Sequence, residues 1–583
     1  MPPTTGTKRT DRLPASEDPI MTANGRKSIA RSDLERQAWP ELSGHALEVL
    51  KAHGTERAVA AGEVVWEVGR PDYPLVHLID ADMNIVDRGR DDSIVVTITA
   101  GNFTGELGLL MGQHTFFAGV MAGAGRILTV DPAKLRHLVA TVPEVSDIVV
   151  SAFAARRKLL VEWADGALTI IGDENERTCL GLREYASRNR IPFRFIEHAD
   201  RAAVDAFAAG RHDLPSRGTV AIVRGGTVLH DPSPLTLAKA LGYELLPDVG
   251  ELFDLVVVGA GPGGLAAAVY GASEGLKTLA IDDTAIGGQA GTSSRIENYL
   301  GFPTGISGSE LAYLGEIQAI KFGARIAVPH RATGLRKDGD VLEVALESGD
   351  EVRARAVVIA AGARYRKLPL SNLTDYEGNG IYYAATELEA RYANGTNAVI
   401  VGGGNSAGQA AMFLSRHAEH TYIVVRRDGL SETMSDYLSS RIERDPRITL
   451  VTQSEVTALR GEGGLTGVTL THMQTGEKQD IASGALYVMV GAEPNAGWAG
   501  GLVRTDEKGF VLTGADADNP SSPFATSEPG IFAVGDIRSG SVKRVASSVG
   551  EGSVVVSAVH AWLAGQPGNG PLAAETKKPA NKS

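Results

Sequence analysis

Two stretches in which a β-branched apolar run enters a glycine cluster and then a helical pattern, Val256–Gly264 and Val399–Ala407, predict two dinucleotide-binding domains. Short alternating segments between about Arg31 and Val161 predict a β-roll, and a compact mixed stretch from Leu168 to Leu246 predicts a small α/β domain. The fold class is therefore multidomain: an N-terminal β-roll, a small α/β domain, then an α/β unit with two dinucleotide-binding domains. A chain of 583 residues is too long for a single core, which agrees.

Residues 1–30 mix Pro, Thr, Arg and Asp without periodicity and read as a disordered tail in which Met21 offers an internal start. This tail lacks the apolar core of a signal peptide, and no run of about 18 apolar residues occurs anywhere in the chain. The cytoplasm is the expected location, with no membrane span. A formal net charge of −13 argues against a nucleic-acid surface. The single cysteine, Cys179, excludes an internal disulfide, a CxxC pair and a thiolate zinc site. It reads as a small half-buried residue at a helix start.

In residues 31–164 the strand-like pieces are Val64–Trp66, Val76–Asp80 and Ile94–Ile98, followed by a helical run from Glu144 to Leu160. The sequence Phe103-Thr104-Gly105-Glu106-Leu107-Gly108-Leu109-Leu110 resembles the phosphate-binding cassette of cyclic-nucleotide-binding domains. The resemblance implies a sensor pocket at Gly105, Glu106 and Leu107, with Glu106 on a ribose hydroxyl and a nucleotide as its candidate ligand. Where that family places an arginine against the phosphate, this chain has Thr115-Phe116-Phe117-Ala118, so a charge-assisted contact is missing. No helix-turn-helix segment follows.

Residues 165–247 alternate strand-like Leu168–Ile171, helical Thr178–Asn189, strand-like Phe193–Ile196, a hairpin over Thr219–Leu229 and a closing helix Pro234–Leu241. This order is similar to a thioredoxin or glutaredoxin-like fold. Such proteins work with a cysteine pair near the first helix, and only Cys179 lies there, so a structural spacer or docking module is expected.

A dinucleotide-binding domain is expected over residues 250–365 and 480–565. Gly259-x-Gly261-x-x-Gly264 combines a turn, a close approach of backbone N–H groups to a pyrophosphate and a tight helix–strand contact. Asp282 ends the next strand near the offset of a ribose-binding carboxylate. Then follow Ile286–Ala290, Ile296–Pro303, Gly305–Leu311, Val357–Ala363 and Gly530–Asp536, in the order found in the FAD-binding half of low-molecular-weight thioredoxin reductases, which they resemble. The resemblance implies that FAD is held by Gly259, Gly261, Pro262, Gly263, Gly264, Asp282, Gly288, Gln289, Asn298, Ala361, Gly362, Gly535, Asp536, Arg544, Val545 and Ala546, and that the protein is a homodimer. The helix Val545–Val559 would face the flavin pyrimidine edge with its N-terminus, where the helix dipole favours negative charge.

The NAD(P)H-binding domain is expected over residues 366–479, with Gly402, Gly404, Asn405, Ser406 and Ala407 as its fingerprint. Its second strand ends in Arg426-Arg427 rather than an acid, which suits a 2′-phosphate and favours NADPH over NADH. The further arginine usual in that family is Ser431 here. The family's redox disulfide precedes this fingerprint, and the positions matching its two cysteines are Ala384 and Glu387, neither of which exchanges a disulfide. The expected function is an FAD-dependent NAD(P)H oxidoreductase that passes electrons from the flavin to an unidentified acceptor: a quinone, an iron–sulfur protein, oxygen or another small molecule. Tyr382, Tyr383 and Glu387 are candidate gates to the ring. The alternative is a non-catalytic flavoprotein that senses redox or nucleotide state. Residues 566–583 form a polar tail without pattern.

Overall fold

The computed structural model describes residues 33–90, 92–162, 168–208, 214, 217–223, 226–243, 246–293, 295–377, 379–383, 385, 387–431 and 433–566. The expected tails lie outside the described residues except for Gln566.

The N-terminal unit is a roll of two antiparallel sheets. One orders Thr55–Val59, Gly125–Val130 and Leu75–Leu78; the other orders Val64–Trp66, Ala118–Met121, Met83–Asp87 and Ser93–Ile98. Leu75, Leu78, Met83, Met121 and Ile127 fill its core. Two helices, Pro132–Thr141 and Pro143–Glu162, close one end at an angle of 115°. Proline opens each of them, where its missing N–H costs nothing. From the long helix the buried Arg156 donates to the carbonyls of Ala38, Phe103 and Gly105 at 2.7–2.8 Å. That guanidinium ties the Phe103–Leu110 segment to the helix.

The middle unit has a four-stranded sheet. Leu168–Gly172 lies parallel to Phe193–Glu197 and antiparallel to Val220–Val223, whose other edge carries Thr227–His230. The helix Arg177–Arg188 buries Cys179, Leu182, Tyr185 and Ala186 against this sheet. A further helix that the sequence reading did not assign, Arg201–Ala208, packs Val204 with Ala203 and Phe207 against the sheet.

The two units are joined through the segment that lacks an arginine. Phe116 stacks on Tyr243 of the middle unit, with ring centroids 5.9 Å apart and planes inclined by 25°. Both Phe116 and Phe117 belong to the same apolar cluster as Leu168, Ile170 and Cys179.

Residues 252–359 form a sheet with parallel order Arg325–Ala327, Thr278–Ile281, Leu252–Val258, Glu351–Ile359, extended by the antiparallel pair Val341–Leu346 and Ala332–Asp338. Ile531–Ala533 returns to pair with Glu351–Ile359. The second dinucleotide-binding sheet orders Ile448–Val451, Thr421–Val424, Asn397–Val401, Lys478–Val488, Gly467–His472 and Ser454–Arg460. The expected boundary at 479/480 is therefore corrected. Lys478–Val488 is one continuous strand, antiparallel to Gly467–His472 over its first half and parallel to Asn397–Val401 over its second, so the inserted domain extends through Val488. The crossings between the domains meet as a ribbon of Ala363–Tyr365 and Ala492–Pro494.

The helix Gly308–Lys321 of the first dinucleotide-binding domain receives both N-terminal units. Its Glu310 receives Lys158 of the roll at 2.6 Å and Arg190 of the middle unit at 3.2 Å. Its Tyr313 donates to the Ala154 carbonyl at 3.1 Å and lies 4.2 Å beneath the Arg190 guanidinium. Burial pushes the Glu316 carboxyl up to about 7, against the pull of Arg157 and Arg190.

Phe116→Ala is expected to cost about 3 kcal/mol in the unfolding step that separates the roll from the middle unit, measured by urea denaturation. Glu316 binds its proton more tightly in the folded chain than in the unfolded one, where its ordinary value is 4.5. Its contribution favours folding below that value and is lost as pH rises through about 7. Glu316→Gln should then be near neutral at about pH 5 and stabilising by about 1–3 kcal/mol at about pH 8. Equal effects at both pH values would refute the assignment.

Candidate functional site

The site begins where two parallel strands end side by side. Gly259 has φ 110°, and a Cβ there would strike the Ala360 carbonyl, so only glycine lets Leu252–Val258 turn beside Glu351–Ile359. Gly261 then caps the helix Pro262–Ser273 with no side-chain partner for its first N–H groups. A second helix, Val545–Ala564, begins at Arg544 and is likewise without a side-chain cap. The two helices cross at Gly263 and Gly552, where a Cβ on Gly552 would collide with the Gly263 carbonyl oxygen. Two helix ends with positive partial charge open at one end of the sheet.

Asp282 serves this loop. One carboxylate oxygen accepts the Ala260 N–H at 2.8 Å, and the other accepts Thr284 and Ala285 N–H at 3.0 and 3.1 Å. Burial and the neighbouring Asp283 raise its pKa, while those three N–H groups lower it. The carboxylate predicted on a ribose is thus also the tie between the fingerprint and the segment after it. Gly287 and Gly288, at φ 96° and 52°, bring that segment against the fingerprint; a Cβ on Gly288 would lie 3.1 Å from Gly261 Cα. Gln289 closes the cradle by donating its amide to the Ala363 carbonyl.

On the far side, the Gly535 N–H donates to Glu551 at 2.6 Å, and Arg538 meets the same carboxylate at 3.1 and 2.9 Å. Asp536 is half-buried between them; burial raises its pKa and Lys543 lowers it. A cavity of about 320 Å³ opens beside Gly259, Asp282, Asp283 and Ala361, walled by His330, Arg331 and Trp498. Glycines with no room for a Cβ, two uncapped helix ends and this cavity fit a dinucleotide such as FAD. Asn298 is exposed on the loop beyond the cradle. His330 and Arg331, from a loop, and Trp498, from the short 3-10 helix Gly497–Ala499, are distant in sequence, with no local motif to mark them. The Gly550-Glu551-Gly552 signal was visible, but the grip of Glu551 on Gly535 and Arg538 was not.

The inserted domain repeats the arrangement. Gly402 has φ 143°, with the Met489 carbonyl where a Cβ would stand, and Gly404 caps the helix Asn405–Leu414. Asn405 accepts the Ser435 N–H at 2.8 Å, which anchors the facing loop. Ser406 is exposed and Ala407 buried. Arg426 and Arg427 are exposed just past Thr421–Val424, the strand adjacent to the fingerprint strand.

Of the three expected gates, Tyr382 is placed away from such a role. Tyr382 is buried in the core of the inserted domain, stacked on Tyr392 at 5.2 Å and 14° and 5.5 Å from Tyr487, with its hydroxyl accepting the Gly380 N–H. A ring fixed on three sides does not gate. Tyr383 donates to Glu377 at 2.7 Å. Ala384 and the Glu387 side chain lie outside the described residues. Cys179 is fully buried, and burial pushes its thiol up to about 12.

Glu106, predicted in a sensor pocket with Gly105 and Leu107, is engaged. One of its oxygens accepts the Gly108 N–H at 2.9 Å and the other takes the buried Arg157 at 2.9 Å. Arg157 also donates to the Tyr243 hydroxyl at 3.0 Å and to Gln113 at 3.3 Å.

The family model for pyridine nucleotide-disulphide oxidoreductases matches residues 253–552. Thioredoxin reductase of Treponema pallidum is 31% identical over 311 residues, covering 53% of this chain and 97% of that protein. Thioredoxin reductase of Bacillus subtilis is 32% identical over 314 residues, covering 54% and 95%. The crystal structure of Lactococcus lactis thioredoxin reductase aligns with 53% of this chain and 98% of its own, at 29% identity and a TM-score of 0.50. Proteins of this kind use FAD and NADPH.

Gly552→Val is expected to force the two helices apart at a cost of about 2 kcal/mol. The purified variant should carry less flavin absorbance per chain than the parent, and full flavin content would show that the crossing does not shape the site.

Proposed function

The chain belongs to the pyridine nucleotide-disulphide oxidoreductase family, and from this we propose that its electrons leave FAD for an external acceptor without passing through a dithiol of its own. It is an FAD-dependent NAD(P)H oxidoreductase of the thioredoxin-reductase-like type. The observation that carries the proposal is the cysteine count: one, buried, in the middle unit, with its thiol held protonated. Disulfide exchange needs an accessible thiolate.

When bound, FAD supplies the two-electron chemistry, with hydride taken from the nicotinamide and electrons released to the acceptor. Around it, the helix ends at Gly261 and Arg544 favour phosphate and developing negative charge. Gly402 and Gly404 admit the second nucleotide, and Arg426 with Arg427 selects a 2′-phosphate, hence NADPH over NADH. The acceptor class is a quinone, an iron–sulfur protein or another small molecule, and the assembly is a homodimer. Among the described residues no single helix is long and apolar enough to cross a membrane, and we place the protein in the cytoplasm.

The domain assignment follows the same lines. Residues 31–164 are a cyclic-nucleotide-binding-like roll, which the two antiparallel sheets and the closing helices support. Residues 165–247 are a thioredoxin or glutaredoxin-like domain, supported by the parallel first pair of strands flanked by an antiparallel hairpin. Three residues before Cys179, where a CxxC pair would have its other thiol, stands Glu176, which accepts the Thr178 and Cys179 N–H groups and caps the helix. Residues 250–365, with the chain beyond Val488, form the FAD domain, and the residues between form the NAD(P)H domain.

Anaerobic titration with NADPH and then NADH tests the reading. The flavin absorbance should bleach with both, and at lower concentration with NADPH. Arg426→Ala with Arg427→Ala should weaken NADPH about 10- to 100-fold while leaving NADH nearly unchanged. Flavin that stays oxidised under both nucleotides would favour the non-catalytic sensing reading instead. Steady NADPH-dependent reduction of a protein disulfide would overturn the external-acceptor proposal.

A further inference from the structure

The middle unit touches the flavin cradle through three consecutive residues. Its helix Arg177–Arg188 ends against the segment Thr284–Gln289. Arg188 donates to the Gly288 carbonyl at 3.0 Å. Asn189 divides its amide between the Tyr185 carbonyl of its own helix, at 2.9 Å, and the Thr284 carbonyl, at 3.2 Å. Arg190, in the left-handed region at φ 50°, donates to the Ser309 carbonyl at 3.2 Å and pairs with Glu310.

Two of the contacts, at Thr284 and Gly288, flank Gly287, whose own N–H donates to the Ala260 carbonyl of the fingerprint at 2.8 Å. Gly287 and Gly288 both adopt positive φ, and such a pair is costly to order because glycine loses the most backbone freedom. Asp282 fixes one end of the segment at Thr284 and Ala285. Gln289 fixes the other at Ala363. Between those ties the Gly288 carbonyl is held by Arg188, a residue of another domain, at the point where Gly288 abuts Gly261 of the fingerprint. Arg188 is itself steadied by Glu184, one turn back, at 3.3 Å. A binding loop ordered before its ligand arrives spares that ligand the ordering entropy.

We propose that Arg188 and Asn189 are FAD-positioning residues supplied by the middle domain, so that this domain completes the flavin site. The proposal rests on the FAD reading of the cradle and adds that the reductase half does not build the site alone. A redox-inert thioredoxin-like domain thereby has a task that needs no thiol.

The test uses the full chain, stripped of flavin and titrated with FAD while flavin fluorescence is followed, with the thermal midpoint of the flavin-free protein measured in parallel. Arg188→Gln is expected to raise the dissociation constant for FAD about tenfold and Asn189→Ala about threefold, with flavin-free midpoints unchanged. Arg188→Lys, which keeps a charged donor, should restore binding to within about threefold of the parent. Binding by Arg188→Gln equal to that of the parent would overturn the proposal. So would weaker binding accompanied by a lowered flavin-free midpoint and no rescue by lysine, since the contact would then be general packing. A parent chain that binds no FAD would instead overturn the reading of the cradle itself, a result distinct from either.

Discussion

Everything around the flavin cradle depends on two backbones coming closer than side chains allow. Gly263 and Gly552 let the helices Pro262–Ser273 and Val545–Ala564 cross with the oxygen of one residue where a Cβ of the other would be. The approach brings the start of the second helix beside the first, although nearly 290 residues of chain separate them. It also sets Glu551 within reach of the Gly535 N–H and Arg538, which fixes the turn that carries Asp536. Neither helix has a side-chain cap, so their first N–H groups remain available to a phosphate or a reduced ring.

The helix Gly308–Lys321 extends that constraint outward. At one end Gly308 lies under the Ala290 carbonyl and Ala312 under Gly287, in contacts that leave no room for larger groups. On its outer side Glu310 and Tyr313 receive the roll and the middle unit. A displacement of either unit is therefore felt within a few ångströms of the cradle, because close-packed contacts transmit strain. Glu316 shows how tightly this seam is closed: two guanidinium groups nearby do not offset the burial of its carboxyl.

What the sequence made legible was local. A strand, a glycine turn and a helix can be read from adjacent residues, so both fingerprints, the strand-end Asp282 and the exposed pair Arg426-Arg427 were placed correctly on their elements. Lys478–Val488 was divided in the wrong place because its pattern changes from alternating to continuously buried halfway along, as the strand passes from an antiparallel to a parallel neighbour. Tyr382 was named a candidate gate because it stands beside the positions that match the missing cysteines; its packing against the rings of Tyr392 and Tyr487 is set by residues distant in sequence. Glu106 was read from its cassette, but its partner Arg157 stands 51 residues away, and Tyr243 a further 86, beyond any local pattern.

The missing arginine and the domain contact are two sides of one physical fact. A phosphate pocket must be open and cationic, whereas residue 116 is covered by another domain and apolar. An arginine at 116 would place a second buried charge against Tyr243, and Glu106, the carboxylate bonded beside it, is already held by Arg157. Phenylalanine instead stacks on Tyr243, while Arg157 donates to the Tyr243 hydroxyl at 3.0 Å and pairs with Glu106. Glu106, the carboxylate that the cassette would direct at a ligand, is thereby held within the protein by Arg157 and the Gly108 N–H. The segment holds domains together, and the middle unit it fixes is the one that reaches the cradle with Arg188. Rigidity in the N-terminal half thus bears on the order of the flavin site through a continuous chain of contacts: Phe116 to Tyr243, the core of the middle unit, the end of its first helix, and Gly288.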